Sequence, residues 1–181
     1  FDTLSTDVLA FADADGATAT PSLLDVIEPV RDGSVDLAVG SRRHPDATIT
    51  SHQTVLRRRL GDVFAWLARR LLAVPLYDYQ CGAKAVDANQ WAEIRRHIHE
   101  SGFAWDLEFI AVADALGCDI REVPITWDDS SDSTVDPIRT PIEMAIAMGR
   151  IRRRVRPLKY QSRSQTATPS ESENSTSVGD E

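Results

Sequence analysis

Residues 8–16, Val-Leu-Ala-Phe-Ala-Asp-Ala-Asp-Gly, constrain the fold more than any other stretch, because a short apolar run ends there in two carboxylates one residue apart. Such a run reads as a buried strand. Side chains alternate along a strand, so Asp13 and Asp15 are expected to project the same way as the chain turns at Gly16. In an open α/β sheet, the crevice at the carboxyl ends of the strands is where ligands bind. Two carboxylates this close repel unless a cation lies between them, and hard oxygen donors suit Mg2+ or Mn2+, which commonly bridge to a diphosphate. The turn is therefore a candidate metal site for a nucleotide-diphosphate substrate. A plainer reading makes it a solvated helix entry, with Thr18 or Thr20 as cap and Pro21 in the first turn.

The same letters resemble those of the haloacid-dehalogenase-type phosphatases, in which an apolar strand runs into Asp-x-Asp-Gly. That resemblance implies Asp13 as nucleophile and Asp15 as acid. It also requires a lysine beside the nucleophile and a later acidic pair at a strand end, for which the chain offers Lys84 and Asp128-Asp129.

Hydrophobic periodicity organises the remainder. Helical spacing is expected over 21–30 (Leu23, Leu24, Ile27, Val30), 52–73 (Leu56, Leu60, Val63, Phe64, Leu67, Leu71, Leu72), 90–97, 105–116 and 138–155. Short strands are expected at 36–40, after the loop 78–82, and over 118–127, where Pro124 marks an edge or a bulge. Segments 44–51 and 128–135 read as polar loops. The order of elements describes an α/β fold with a mixed sheet, short of the strands that a complete nucleotide-binding half requires. Residues 1–156 are expected to form the folded domain, and 157–181, rich in Ser and Thr, a disordered tail.

The net charge of −8 is unevenly spread. Residues 52–72 hold five arginines against Asp62, and 137–160 hold six arginines and Lys159 against Glu143, while the rest is strongly acidic. The two basic helices are either solvated faces or a surface for anionic lipid headgroups or a phosphate-bearing acceptor. Nucleic acid is not an expected partner, because the acidic remainder repels a phosphate backbone. Cys81 and Cys118 have no disulfide framework and no zinc-ligand neighbours, and no apolar run approaches a membrane span. Both read as small hydrophobes in a reducing, cytoplasmic setting.

Taken in order, Phe11-Ala12-Asp13-Ala14-Asp15-Gly16, Gly40-Ser41-Arg42, Arg57, Asp78-Tyr79-Gln80-Cys81-Gly82-Ala83-Lys84, Trp105-Asp106-Leu107-Glu108 and Glu122-Val123-Pro124-Ile125-Thr126-Trp127 resemble the second half of an inverting GT-A glycosyltransferase of family 2, the dolichyl-phosphate glucose and mannose synthases. The resemblance runs from about position 7 to 153, and its Asp-x-Gln-Cys-Gly-x-Lys and Trp-Asp-x-Glu blocks favour the glucosyl branch. It implies a Rossmann-like GT-A fold whose nucleotide-binding part lies ahead of Phe1, and transfer of glucose or mannose, with inversion, to dolichyl or polyprenyl phosphate. Such transfer feeds protein glycosylation or lipid-linked sugar synthesis, at the cytoplasmic face of a membrane to which the enzyme is peripherally bound.

An acceptor that is already a phosphate anion needs no general base; it needs cations. The resemblance therefore assigns Arg42 and Arg57 to the acceptor phosphate, Asp13 and Asp15 to the metal and departing diphosphate, Asp78 and Gln80 to the sugar or diphosphate, and Lys84 to a second positive charge. Against these stand plainer roles: Arg57 as helix surface, Arg42 as a strand-end cap, Lys84 as an exposed strand lysine, Asp106 as a cap of the helix it precedes, Glu108 as a first-turn acid favoured by the helix dipole, and Trp105 and Trp127 as core. Some mannosyl-type relatives carry a further polar ligand where this chain has Ala17. A third class of reading is a truncated, non-catalytic domain that docks on membranes through its basic helices.

Overall fold

The computed structural model describes residues 5–50, 55–128 and 139–166. Its centre is a four-stranded mixed sheet in the order β1-β4-β2-β5, formed by β1 (Val8–Phe11), β2 (Leu37–Ser41), β4 (Lys84–Asp87) and β5 (Ile120–Pro124). Strand β4 runs antiparallel to both β1 and β2, and β5 runs parallel to β2. The carboxyl ends of β1, β2 and β5 therefore share one edge, which is also where β4 begins. The register places Phe11, Lys84, Val39 and Glu122 in one row across that edge.

Alternation splits the sheet into two apolar faces. Leu9, Leu37, Val39 and Val86 pack with α2 (Val55–Leu72), α4 (Trp105–Leu116) and α5 (Arg139–Thr166), whereas Ala38, Ala83, Ala85 and Val123 pack with α1 (Thr20–Arg31). Helix α4 is the central element, buried on nearly every side from Leu107 to Ala113. Its mean apolarity, rather than a one-sided stripe, reflects that position between the sheet and α5. A short helix α3 (Ala88–Ile94) begins at Asp87, whose carboxylate caps Asn89 N–H at 2.8 Å.

Five expected helices and the main strands are present. The first strand is less buried than its apolar run suggests: it lies at the sheet edge, and only Leu9 is fully covered. Neither Thr18 nor Thr20 caps α1; Ala19 stands at the N-cap without a side-chain bond, and Pro21 sits in the first turn. The loop expected over 44–51 contains β3 (Thr48–Ile49), which pairs in parallel with β6 (Thr126–Trp127). Strand β5, at the other edge, ends at Pro124, and the chain beyond it leaves the main sheet to pair with β3 as β6.

The final helix does not stop at 155. Helix α5 continues to Thr166, with Pro157 inside it, so the tail expected from 157 is helical over its first ten residues. Tertiary contacts explain the extension: Leu158 packs against the core, and Lys159 Nζ lies 2.5 Å from Asp114 Oδ2. The rest of the expected tail, the loop over 129–135 and most of the run-in before β1 lie outside the described residues.

Candidate active site

Strand β6 ties together the loops that leave β1 and β2 at the shared sheet edge. Trp127 bridges to Thr18 after β1, Thr50 N–H reaches Trp127 O at 3.1 Å from the loop after β2, and Asp128 N–H reaches Ala17 O at 2.9 Å. The acidic turn leaves β1 at Phe11 and closes at Gly16, whose φ of +72° is the left-handed conformation that glycine adopts without strain. Asp15 Oδ1 accepts the Ala17 N–H at 3.0 Å. The Asp13 carboxylate lies directly on Gly82, so closely that a Cβ at position 82 would stand 2.1 Å from its Cγ. Partial burial, followed by the neighbouring Asp15 and Asp106, pushes the Asp13 carboxyl above its ordinary value, against the pull of Lys84 and Arg42.

Arg42 leaves the end of β2 and meets Asp78 through one edge of its guanidinium. Its Nε donates to Asp78 Oδ2 at 2.7 Å, its Nη2 to Oδ1 at 3.0 Å, and its backbone N–H to Oδ2 at 3.1 Å. The guanidinium carbon lies 5.3 Å from the centre of the Trp127 ring. Burial opposes the charge of both partners, but each stabilises the other: Arg42 is held above its ordinary value and Asp78 below its own. Gln80 donates its N–H to Asp78 Oδ1 at 3.0 Å, and its side-chain amide lies 3.4 Å from Met144 Sδ on α5.

Lys84 is fully buried, which removes its reading as an exposed strand lysine. Its ammonium donates to Asp106 Oδ1 at 2.7 Å and to the Cys81 carbonyl, and lies 5.6 Å from the centre of the Phe11 ring. Asp106 is thus the partner of Lys84 and not a helix cap. Glu108, the other acid of that block, is completely buried, accepting the backbone N–H of His99 and Glu100 at 2.6 and 2.5 Å and Arg154 Nη1 at 2.6 Å.

The structure brings Asp13, Arg42, Asp78, Gln80 and Lys84 together at one edge, with Asp15 on the adjoining turn. Asp78 is turned away from the direct sugar or diphosphate contact expected of it: both oxygens are spent on Arg42 and Gln80, and its side chain is 3% exposed. The Arg57 side chain lies outside the described residues, although its backbone belongs to α2. Both thiols are free, and burial raises Cys81 to about 11 and Cys118 to about 12, so neither is a nucleophile at neutral pH. Glu122, quoted above within its block but given no role there, accepts the N–H groups of Tyr77 and Asp78. The alternation of the Glu-Val-Pro-Ile-Thr-Trp strand was the signal available, since it puts Glu122 and Pro124 opposite Val123.

A divalent cation fits this edge in one limited sense. The repulsion between Asp13 and Asp15 is of the kind a cation relieves, and two carboxylates would leave the remaining positions of a bound cation to other oxygen ligands. Among the described residues, no three His, Cys, Asp or Glu side chains form a complete ligand set.

No family model matches the chain. It is 31% identical over 144 residues to the glycosyltransferase AglD of Haloferax volcanii, covering 80% of this chain and 23% of that protein. It is 30% identical over 144 residues to the dolichyl-phosphate beta-glucosyltransferase of Dictyostelium discoideum, covering 77% and 44% respectively. Glucosyl-3-phosphoglycerate synthase from Mycobacterium tuberculosis, solved with uridine diphosphate, superimposes with a TM-score of 0.48 at 16% identity, over 84% of this chain and 50% of that one. The chain spans less than half the length of the curated relatives it matches. Over that span, the chain is similar to glycosyltransferases, dolichyl-phosphate beta-glucosyltransferases among them.

Proposed function

We propose that the protein of which this chain is part transfers a hexose, glucose in the first instance, from a nucleotide-diphosphate sugar to dolichyl or another polyprenyl phosphate with inversion, on a GT-A framework. The observation that carries the reading is one juxtaposition. The acidic turn after β1 and the bidentate, stacked Arg42 after β2 open on the same sheet edge. The chain's similarity to dolichyl-phosphate beta-glucosyltransferases supports a nucleotide sugar and dolichyl phosphate as the substrates of that pair.

In this reading Arg42, with Arg57 from α2, binds the acceptor phosphate and orients an oxygen behind the anomeric carbon, so that most of the catalytic effect is positioning. Asp13 and Asp15 would hold Mg2+ or Mn2+, which would supply charge neutralisation at the departing diphosphate. Gln80 offers an amide beside the sugar. The buried Lys84 contributes positive potential from behind and makes no contact with substrate. The same burial disfavours the phosphatase reading, which requires a lysine presented to the nucleophile, whereas this ammonium is spent on Asp106 and the Cys81 carbonyl.

Among the described residues, no helix is long and apolar enough to cross a membrane. The cytoplasmic face of the bilayer, met peripherally through the basic helices, is the proposed place of work. The test is incubation of the full-length protein with dolichyl phosphate and a panel of nucleotide sugars, with Mn2+ or with chelator. Metal-dependent formation of lipid-linked hexose is expected. Free phosphate released from a phosphomonoester would instead favour the phosphatase. No turnover, with retained vesicle binding, would favour a docking domain.

A further inference from the structure

We infer that Glu122 is a positioning residue for Arg42, acting through the turn that carries Asp78; the inference rests on the acceptor-binding role proposed above for Arg42. Glu122 belongs to β5 and faces Val39 of β2 in the sheet register, so it is fixed to the strand from which Arg42 emerges. Its carboxylate spans two consecutive peptide N–H groups. Tyr77 donates to Oε1 and Oε2 at 2.9 and 2.8 Å, and Asp78 donates to Oε1 at 2.7 Å. Charge-assisted bonds to adjacent amides fix the orientation of that peptide, and hence where the Asp78 side chain leaves the backbone.

The same turn is held from its other side. Arg69 of α2 donates from Nε and Nη2 to the Leu76 carbonyl at 3.1 and 2.7 Å, and its guanidinium carbon lies 5.1 Å from the centre of the Tyr77 ring. A turn secured through its carbonyl from α2 and its amides from β5 has one product: a buried carboxylate that receives Arg42 twice through the side chain and once through the backbone.

The consequence for Arg42 is directional. Its Nε edge is committed to Asp78, and one face lies toward Trp127, which leaves the two N–H groups of Nη1 and one of Nη2 as the donors for an anion. With Asp78 balancing the charge, Arg42 acts as an oriented set of donors and not as a loose cation. Preorganisation of this kind lowers the cost of fixing a phosphate in line with its target. Removing Glu122 releases the turn, then Asp78, and only then Arg42.

The test uses the full-length protein with isotopically labelled arginine and two readouts. The first is the Arg42 Nε–Hε resonance, assigned by its loss in Arg42→Lys, which the bond to Asp78 shifts and shields from exchange with water. In Glu122→Ala that signal is expected to broaden or move to the position of free arginine. The Michaelis constant for dolichyl phosphate is expected to rise by about tenfold with that for the nucleotide sugar unchanged. Glu122→Gln, which retains one oxygen acceptor, should fall between parent and Glu122→Ala, and it decides the matter on the same readouts if Glu122→Ala does not fold. A folded variant whose Arg42 signal stays put, or whose two Michaelis constants rise together, overturns the inference. A parent that transfers no hexose overturns the proposed function instead, and the resonance still decides the role of Glu122.

Discussion

A missing methyl group at position 82 leaves room for the Asp13 carboxylate. The backbone there does not require glycine, because its φ is not positive, so the demand is one of space alone. Gly82→Ala should therefore fold normally while forcing the Asp13 side chain to rotate off the site. Mn2+-dependent transfer by the full-length protein is expected to fall by about tenfold or more, and the effect should vanish in an Asp13→Ala background, as a double-mutant cycle would show. Asp13 itself carries a second expectation. Its folded pKa lies above the reference value of 3.8, so the folded state binds that proton more tightly than the unfolded chain does. Ionised Asp13 is thus a liability to stability as pH rises through the raised pKa, and it costs nothing once both states are protonated below the reference value. Asp13→Asn, which removes the charge, should raise the thermal midpoint at pH 7 in chelator and lose that advantage as the pH falls towards 4. Equal midpoints at pH 7 would contradict the crowding of carboxylates at this turn.

Helix α4 carries two acids near its start with opposite assignments: Asp106 reaches the sheet edge through Lys84, and Glu108 reaches α5 and residues 99–100. Glu108→Ala would leave two amides at the foot of α4 without an acceptor and Arg154 with Glu100 alone. A cost of about 3 kcal/mol is expected, read as a lower denaturation midpoint with an unchanged slope. Sequence alone could not reveal what these two acids bind, because a carboxylate at the start of a helix is already explained locally, as a cap or by the helix dipole. Their partners lie on other elements. The same limit applied to Arg42 and Asp78, each legible as a substrate ligand, whose pairing spans 36 positions. It applied to β3 as well, whose two residues take their ladder from β6 rather than from any property of their own. What was legible was whatever repeats: the faces of α1, α2 and α4, and the apolar runs of β1 and β2. Helix α5 was legible as far as residue 155, since the contacts that extend it belong to Leu158 and Lys159.

Across the whole molecule, basic charge divides into a part that holds the fold and a part that faces solvent. Arg150 and Arg154 are taken by Glu100 and Glu108, and Lys159 by Asp114, so these residues fasten α5 to its neighbours. Arg152, Arg153 and Arg156 are exposed. Ile142, Gly149, Arg153 and Arg156 follow the spacing of one helical face with Ile146, and the two isoleucines are 59% and 56% exposed. An apolar half continued by a basic half along one exposed stripe suits a helix lying in the headgroup region of an anionic bilayer, which is where a polyprenyl phosphate presents its charge. Each basic residue near such a surface contributes on the order of 1 kcal/mol, weakened as salt shortens the screening length. The combined change of Arg152, Arg153 and Arg156 to Gln should therefore lower co-sedimentation with phosphatidylserine-containing vesicles by about a hundredfold at low salt, and leave the thermal midpoint where it was. Arg154→Gln should do the reverse, reducing stability with little effect on vesicle binding. Changing Ile142 and Ile146 to Ser should remove the part of the binding that survives high salt. If the triple variant and the parent sediment alike at low salt, or if both stay in the supernatant, α5 is a packing element, and the approach to the membrane must be sought on another face of the protein.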